Sequence, residues 1–208
     1  MATQSNQAMV SETSICNQAL TWLGQDPITS LTDPNTTAEW MRNNYPFIRD
    51  ALLEERMWTF ATVKASDVTE DMDAWGTMYV HPKPLNWISV FRVFKSVNAY
   101  GDNIRDENWR MEGGNIVSSY ATIYLWGIKQ VTDTGKFSPM FIQTLAARIA
   151  ADACIPLTEN RQLQADLWNL YKVKLDEAAA RDGQQGSNEL IQSNTLINAR
   201  ARSGGIYD

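Results

Sequence analysis

The chain has 208 residues, 44% hydrophobic and 20% charged, a composition that supports a packed core and excludes an intrinsically disordered chain. Its formal charge of -6 gives no general grip on nucleic-acid phosphates. A single histidine, His81, and two cysteines, Cys16 and Cys154, exclude most zinc, haem and iron–sulfur constellations, which need several such ligands.

The segment Met1–Ala8 has neither the basic nor the apolar part of a secretory signal, so the expectation is a chain made and folded in a reducing cytoplasm. The first helix is expected to start in the Ser11–Ser14 cluster, to carry Ile15, Ala19, Leu20 and Leu23 on one face, and to stop at Gly24. Asp33-Pro34 reads as the second helix start, a capping residue followed by proline at the first helical position. Met41, Tyr45, Ile48 and Leu52 then form an apolar stripe that runs in phase past Pro46, which predicts a kink rather than an end.

After Arg56 the period changes. Trp58–Val63 reads as a strand, and the four acids between Asp67 and Asp73 as a solvated loop. His81-Pro-Lys-Pro84 is an extended entry to the strand Trp87–Phe94, and Asn98–Asn108 a polar loop. Gly113-Gly114 between Trp109–Glu112 and Asn115–Ser118 predicts a two-residue hairpin that sets Met111 opposite Ile116. Thr122–Ile128 is a strand apolar on both faces, to be covered by its own domain or by a neighbouring subunit. The longest charge-free stretch, Gly113–Ile128, is too short and too polar for a membrane span.

Helices return with Phe137, Phe141, Leu145 and Ile149 at steps of four, interleaved with alanines, in a run that ends at or just before Pro156. A last helix from Glu159 to Arg181 shows Leu163, Leu167, Leu170, Tyr171 and Leu175. Cys16 and Cys154 sit inside apolar helical patterns without a C-x-x-C partner and read as reduced, buried thiols. Beyond Asp182 the periodicity is lost, but the tail carries the apolar doublets Leu190-Ile191 and Leu196-Ile197 and the pair Arg200 and Arg202. Such residues read as a docking arm, and its 26 residues from Gly183 to Asp208 reach about 85 Å when extended.

The order predicts an α+β fold: an antiparallel helical bundle from residues 1–57 and 136–182, an inserted antiparallel β-rich region at 58–135, and an extended C-terminal arm at 183–208. Acidity is uneven, with 3 basic and 7 acidic residues in 1–58 and 2 of each in 183–208. Trp58, Trp75, Trp87, Trp109 and Trp126 fall in or beside the β-rich region, and Trp75, Trp87, Trp109 and Trp126 are the candidate inter-subunit or tail contacts.

Motifs of catalysis are missing around the one candidate base. His81 stands between Val80 and Pro82 without a nucleophile motif, and Gly113-Gly114 lacks the Gly-Lys-Ser/Thr continuation of a phosphate cradle. The acids of 67–73 lack the glycine and closing glutamate of an EF-hand, so no metal or cofactor is assigned. Arg92 and Lys95 among Phe91, Phe94 and Tyr100 look like an aromatic–basic platform, but strand alternation separates Arg92 from Phe91 and favours a half-buried strand with a solvated arginine.

Several segments together resemble one family. Ser14–Gly24 with Pro27–Leu31, Tyr45–Leu53 leading to Trp58–Ala61, Phe137–Leu157, the long helix ending at Ala178–Arg181, and the Ala199-Arg200 element follow the order found in tail tubular protein A-like head-to-tail adaptors of short-tailed bacteriophages. The region from Val63 to Tyr100 matches only loosely. The resemblance implies a structural virion protein with no enzymatic activity and no cofactor. It would form a homo-oligomeric ring, commonly of twelve copies, beneath the portal protein, extend the channel for passing double-stranded DNA, and offer a platform to tail nozzle and tail fibre proteins. It also implies that the C-terminal arm reaches the portal, where the arm's own apolar doublets and arginines, Leu190, Ile191, Leu196, Ile197, Arg200 and Arg202, are the candidate docking residues. The competing readings are a cell-wall (peptidoglycan) hydrolase of the tail machine, since carboxylates are plentiful, and a stand-alone cytoplasmic binding domain.

Overall fold

A computed structural model describes residues 10–97 and 103–184. Within them the chain is a mixed α+β fold of four α-helices and two antiparallel sheets. Helix α1 (Glu12–Leu23) begins at a reciprocal cap, Ser11 accepting from the Ser14 amide while the Ser14 hydroxyl oxygen accepts from the Ser11 amide. It ends at Gly24, whose φ of 66° is the left-handed cap that glycine adopts at little cost. Its inner face is the predicted one, extended by Cys16.

Helix α2 (Thr36–Glu55) starts later than Asp33-Pro34 predicts, because Asn35 is the cap and accepts from the Ala38 amide at 2.7 Å. Asp33 instead folds back on the preceding turn, its Oδ2 accepting from the amides of Thr29 and Ser30. Pro46 lies inside this helix without ending it. Pro46 and Arg42 are both exposed, so the carbonyl that proline leaves unbonded can be met by water, while Met41, Tyr45, Ile48 and Leu52 stay buried.

Helix α3 (Pro139–Thr158) has Ser138 as its cap and Pro139 at the first helical position. It runs through Pro156, one of the differences from the sequence reading, and stops at Glu159, which takes a φ of 54° and donates its amide to Ile155. Helix α4 (Arg161–Gly183) accordingly starts two residues after Glu159, capped by Asn160. By length and composition α3 could cross a membrane, yet more than half of its most apolar window is buried in the chain. Its alanines 146, 147, 150, 151 and 153 are fully buried, which permits close approach by neighbouring helices.

All four helices contribute to one hydrophobic core, joined by Trp58, Ala61, Ile128, Val131 and Phe137 from the chain between α2 and α3. At its centre Phe141 meets Trp58 edge-on at 5.0 Å and Phe60 at 4.9 Å. Trp58 also donates its indole N–H to the Leu52 carbonyl at 2.8 Å. The predicted strand Trp58–Val63 is therefore corrected: residues Thr59–Ala61 make one 3-10 turn on that core, and the strand starts at Thr62. Asp182, buried near the end of α4, holds the turn by accepting from the Thr59 amide at 2.9 Å and hydroxyl at 2.7 Å.

The strands are β1 (Thr62–Val68), β2 (Tyr79–Pro82), β3 (Trp87–Ser96), β4 (Ile104–Arg105), β5 (Arg110–Glu112), β6 (Asn115–Ser118) and β7 (Thr122–Lys129). One sheet has the order β1-β7-β3-β4 and the other β2-β6-β5, all pairs antiparallel. The hairpin forms as predicted: Gly113 and Gly114 take φ of 58° and 84°, and Met111 pairs with Ile116. Asp67 belongs to β1 rather than to a solvated loop, and residues 104–105 of the expected polar loop form β4. A second core, Trp87, Val93, Ile116, Ile123 and Leu125, takes residues from both sheets. Gly127 sits where β7 passes the irregular middle of β3; a Cβ there would lie 2.3 Å from the Ser89 carbonyl oxygen and 2.7 Å from the Trp87 ring.

Candidate functional site

Two places outside the helical core gather chemically capable side chains. The first joins the sheets at His81. In β1 the alternation that turns Val63 and Ala65 inward also turns Asp67 inward, toward His81 of β2. His81 is fully buried, with Nδ1 2.8 Å from Asp67 Oδ2 and Nε2 2.9 Å from the Tyr120 carbonyl oxygen. A carbonyl only accepts, so Nε2 carries a proton, and the proton between Nδ1 and Asp67 completes the link. A parallel link lies alongside: the Ser118 hydroxyl donates to the buried Asp106 at 2.5 Å and accepts from the Tyr120 amide at 3.2 Å.

Serine, histidine and aspartate thus meet in one cluster, but their connectivity is not that of nucleophilic catalysis. Ser118 gives its proton to a carboxylate, and both nitrogens of His81 are engaged by Asp67 and Tyr120. A general base needs a nitrogen free to accept from the nucleophile, and His81 has none. The arrangement ties β1, β2 and the turn at Tyr120 together; its chemistry is cohesion between sheets.

The second place is the outer face of the four-stranded sheet. Register sets Lys64 and Arg92 on either side of Trp126, with their cationic groups 5.4 Å and 5.0 Å from its ring. Arg92 is accordingly half-buried against an indole rather than simply solvated, and the expected alternation is broken by a register shift between Val90 and Arg92: Phe91 packs on the helical core together with Ile128, which shares the strand face of Trp126. Lys95 donates to the Tyr120 hydroxyl at 3.1 Å, which holds its ammonium pKa above the usual value.

The five tryptophans of the region are divided among these surroundings. Trp58 is in the helical core, Trp87 is buried in the second core with 8% of its surface exposed, and Trp109 packs on that core's edge. Trp126 is clasped between cations, whereas Trp75 is 83% exposed. Trp87 therefore has almost no surface left for a partner, and Trp75 has the most of the four sequence candidates. Trp75 stands on a turn fixed by Asp73, whose carboxylate accepts from the Thr77 amide at 2.8 Å and hydroxyl at 3.1 Å. These hydrogen bonds hold the Asp73 carboxyl below the usual carboxylate range.

A recess of about 260 Å³ at the root of the tail is lined by Arg56, Met57, Trp58, Ala179, Asp182 and Gly183, and its carboxylate is already engaged by Thr59. Among the described residues no group of His, Cys, Asp and Glu is arranged to hold a metal ion. Cys16 and Cys154 are free and buried, as the sequence predicts. Leu190, Ile191, Leu196, Ile197, Arg200 and Arg202 of the expected arm lie outside the described residues.

Asp67 and Asp106 were not among the sequence candidates. The inward parity of Asp67 after Val63 and Ala65 is a signal that could have found the first; nothing in the pattern around Asp106 marks the second. Comparison with protein-family models gives no match, and no curated protein matches the chain.

Proposed function

We propose that the chain is a structural head-to-tail adaptor of a short-tailed phage virion, a ring subunit beneath the portal and not an enzyme. In this reading helices α1–α4 are an antiparallel bundle, the two sheets are an insertion on it, and residues 183–208 are the arm that docks on the portal. The supporting observation is that separate segments carrying the resemblance meet in one core: Ile15 and Leu20, then Tyr45 and Leu52, then Trp58, then Phe141 and Leu145.

The locked His81 fits a load-bearing part better than a catalytic one. A net charge of -6 suits a wall past which DNA must slide, since acidic surfaces release no counterions from phosphates. The nozzle and fibre proteins would meet the ring through the insertion, where Trp75 is offered. Reconstruction of the particle tests the proposal: density for this chain is expected at the junction of portal and tail, and its placement anywhere else overturns the reading.

A further inference from the structure

Two surfaces of the β region carry charge of opposite sign. On the outer face of the four-stranded sheet, register places Lys64 and Arg92 beside Trp126 and Arg105 beside Phe94, and no strand position on that face carries a carboxylate. Lys64 and Arg105 are exposed and have no carboxylate partner among the described residues. This is a cationic surface in a chain whose formal charge is -6.

The opposite sign lies in the connection from β1 to β2. No lysine or arginine occurs from residue 65 to residue 82, and the exposed Glu70 and Asp71 have no cationic partner among the described residues. The same connection presents Trp75 on the Asp73 turn, closed further by the Gly76 amide donating to the Asp73 carbonyl at 2.9 Å. A ring held out on a bonded turn loses little freedom when it docks, and tryptophan and arginine are the residues that most often dominate an interface.

We propose that these two surfaces are the halves of one contact between copies of this chain. The Trp75 turn of one copy seats on the cationic face of the next, its indole against guanidinium and ammonium groups and its Glu70 and Asp71 facing Lys64 and Arg105. The two halves are different patches of the same chain, so the contact is heterologous and can repeat around a ring. Closure into a ring rests on the adaptor reading; the pairwise contact does not.

The test is sedimentation of the full chain over a wide concentration range at low and high salt. Association is expected, weakening as salt rises. Trp75→Ala is expected to weaken it at least about tenfold, as are the pair Glu70→Lys with Asp71→Lys and the pair Lys64→Glu with Arg105→Glu, each about tenfold or more. All five positions are exposed, and circular dichroism checks that each variant folds. Mixing the two charge-reversed variants is expected to restore association, because a basic turn then meets an acidic face. The proposal is overturned by a chain that stays monomeric throughout, by association indifferent to these substitutions, or by a mixture that fails to recover. It is also overturned if Lys64→Glu with Arg105→Glu abolishes binding of a double-stranded oligonucleotide while self-association is unchanged. Failure here leaves the adaptor reading to the particle reconstruction, and a chain located elsewhere in the particle leaves the pairwise contact to sedimentation.

Discussion

His81 shows how one buried side chain can hold two sheets in register. Removing its ring deletes two hydrogen bonds and leaves Asp67 without a partner, so His81→Ala should cost about 2–4 kcal/mol. Asp67→Asn keeps a group able to donate to Nδ1 and should cost less. Urea unfolding of both variants checks the order, and an unchanged midpoint for His81→Ala would mean that the ring is not a joint. Tyr45 makes the contrary case. Its buried hydroxyl has no hydrogen-bond partner among the described residues, so Tyr45→Phe should leave stability within about 1 kcal/mol or raise it. Burial also sets the alkaline behaviour. It pushes the Cys16 thiol from 9.0 up to about 12, and the Tyr171 phenol, donating besides to Glu55, from 10.0 up to about 12. Groups that hold their protons more tightly when folded contribute stability that is complete below the unfolded pKa and is lost as pH rises through the folded one. Unfolding free energy should therefore decline from about pH 9 toward pH 12, and a flat profile there would contradict the burial of both groups.

At the scale of elements, the predictions that succeed are those where local chemistry and burial agree. Ser11 and Gly24 bound α1 as their types require, and Gly113-Gly114 makes the tight hairpin because both positions need positive φ. The sequence reading errs where a distant residue decides. Thr59–Ala61 coils into a 3-10 turn under the carboxylate of Asp182, a partner 123 positions away. Asp33 looks like a cap, but Asn35 also has the chemistry, and the turn at Thr29 claims Asp33 first. The sheet-joining cluster is likewise long-range, with Ser118 and Asp106 facing each other across two sheets that periodicity cannot align. Gly127 belongs to this class as well: it reads as one weak spot in an apolar strand, yet it is where the Ser89 backbone and the Trp87 ring pass closest. Gly127→Ala should destabilise by about 1–3 kcal/mol through that clash, and a melting temperature equal to that of the parent chain would refute the close approach.

For the whole molecule, the helical core and the second core are separate clusters in one chain, and both lie within the described residues. Truncation after Gln184 removes none of their buried side chains, so the shortened chain should melt within a few degrees of the full one. Under the adaptor reading it should also lose binding to isolated portal rings; unimpaired binding would remove the arm from the proposal. Fold class was legible because helical and strand periods change cleanly near residues 57 and 136. Surface roles were less so: Trp75 precedes a glycine and Trp87 opens a predicted strand, yet only the packing of the second core decides that Trp87 is covered and Trp75 exposed.

The carboxylate of Asp182 has a mechanical meaning as well. It lies one residue before the end of α4 and grips the turn that opens β1, so the exit of the tail is riveted to the root of the sheets. Tension applied beyond Gly183 would meet a rivet near the end of the helix before it could peel the last turns away, and would be passed on to the strand. A chain hauled on by its tail would thus load the Thr59–Ala61 turn, and with it the part of the helical core that Trp58 and Ala61 fill, before the end of α4 could unravel.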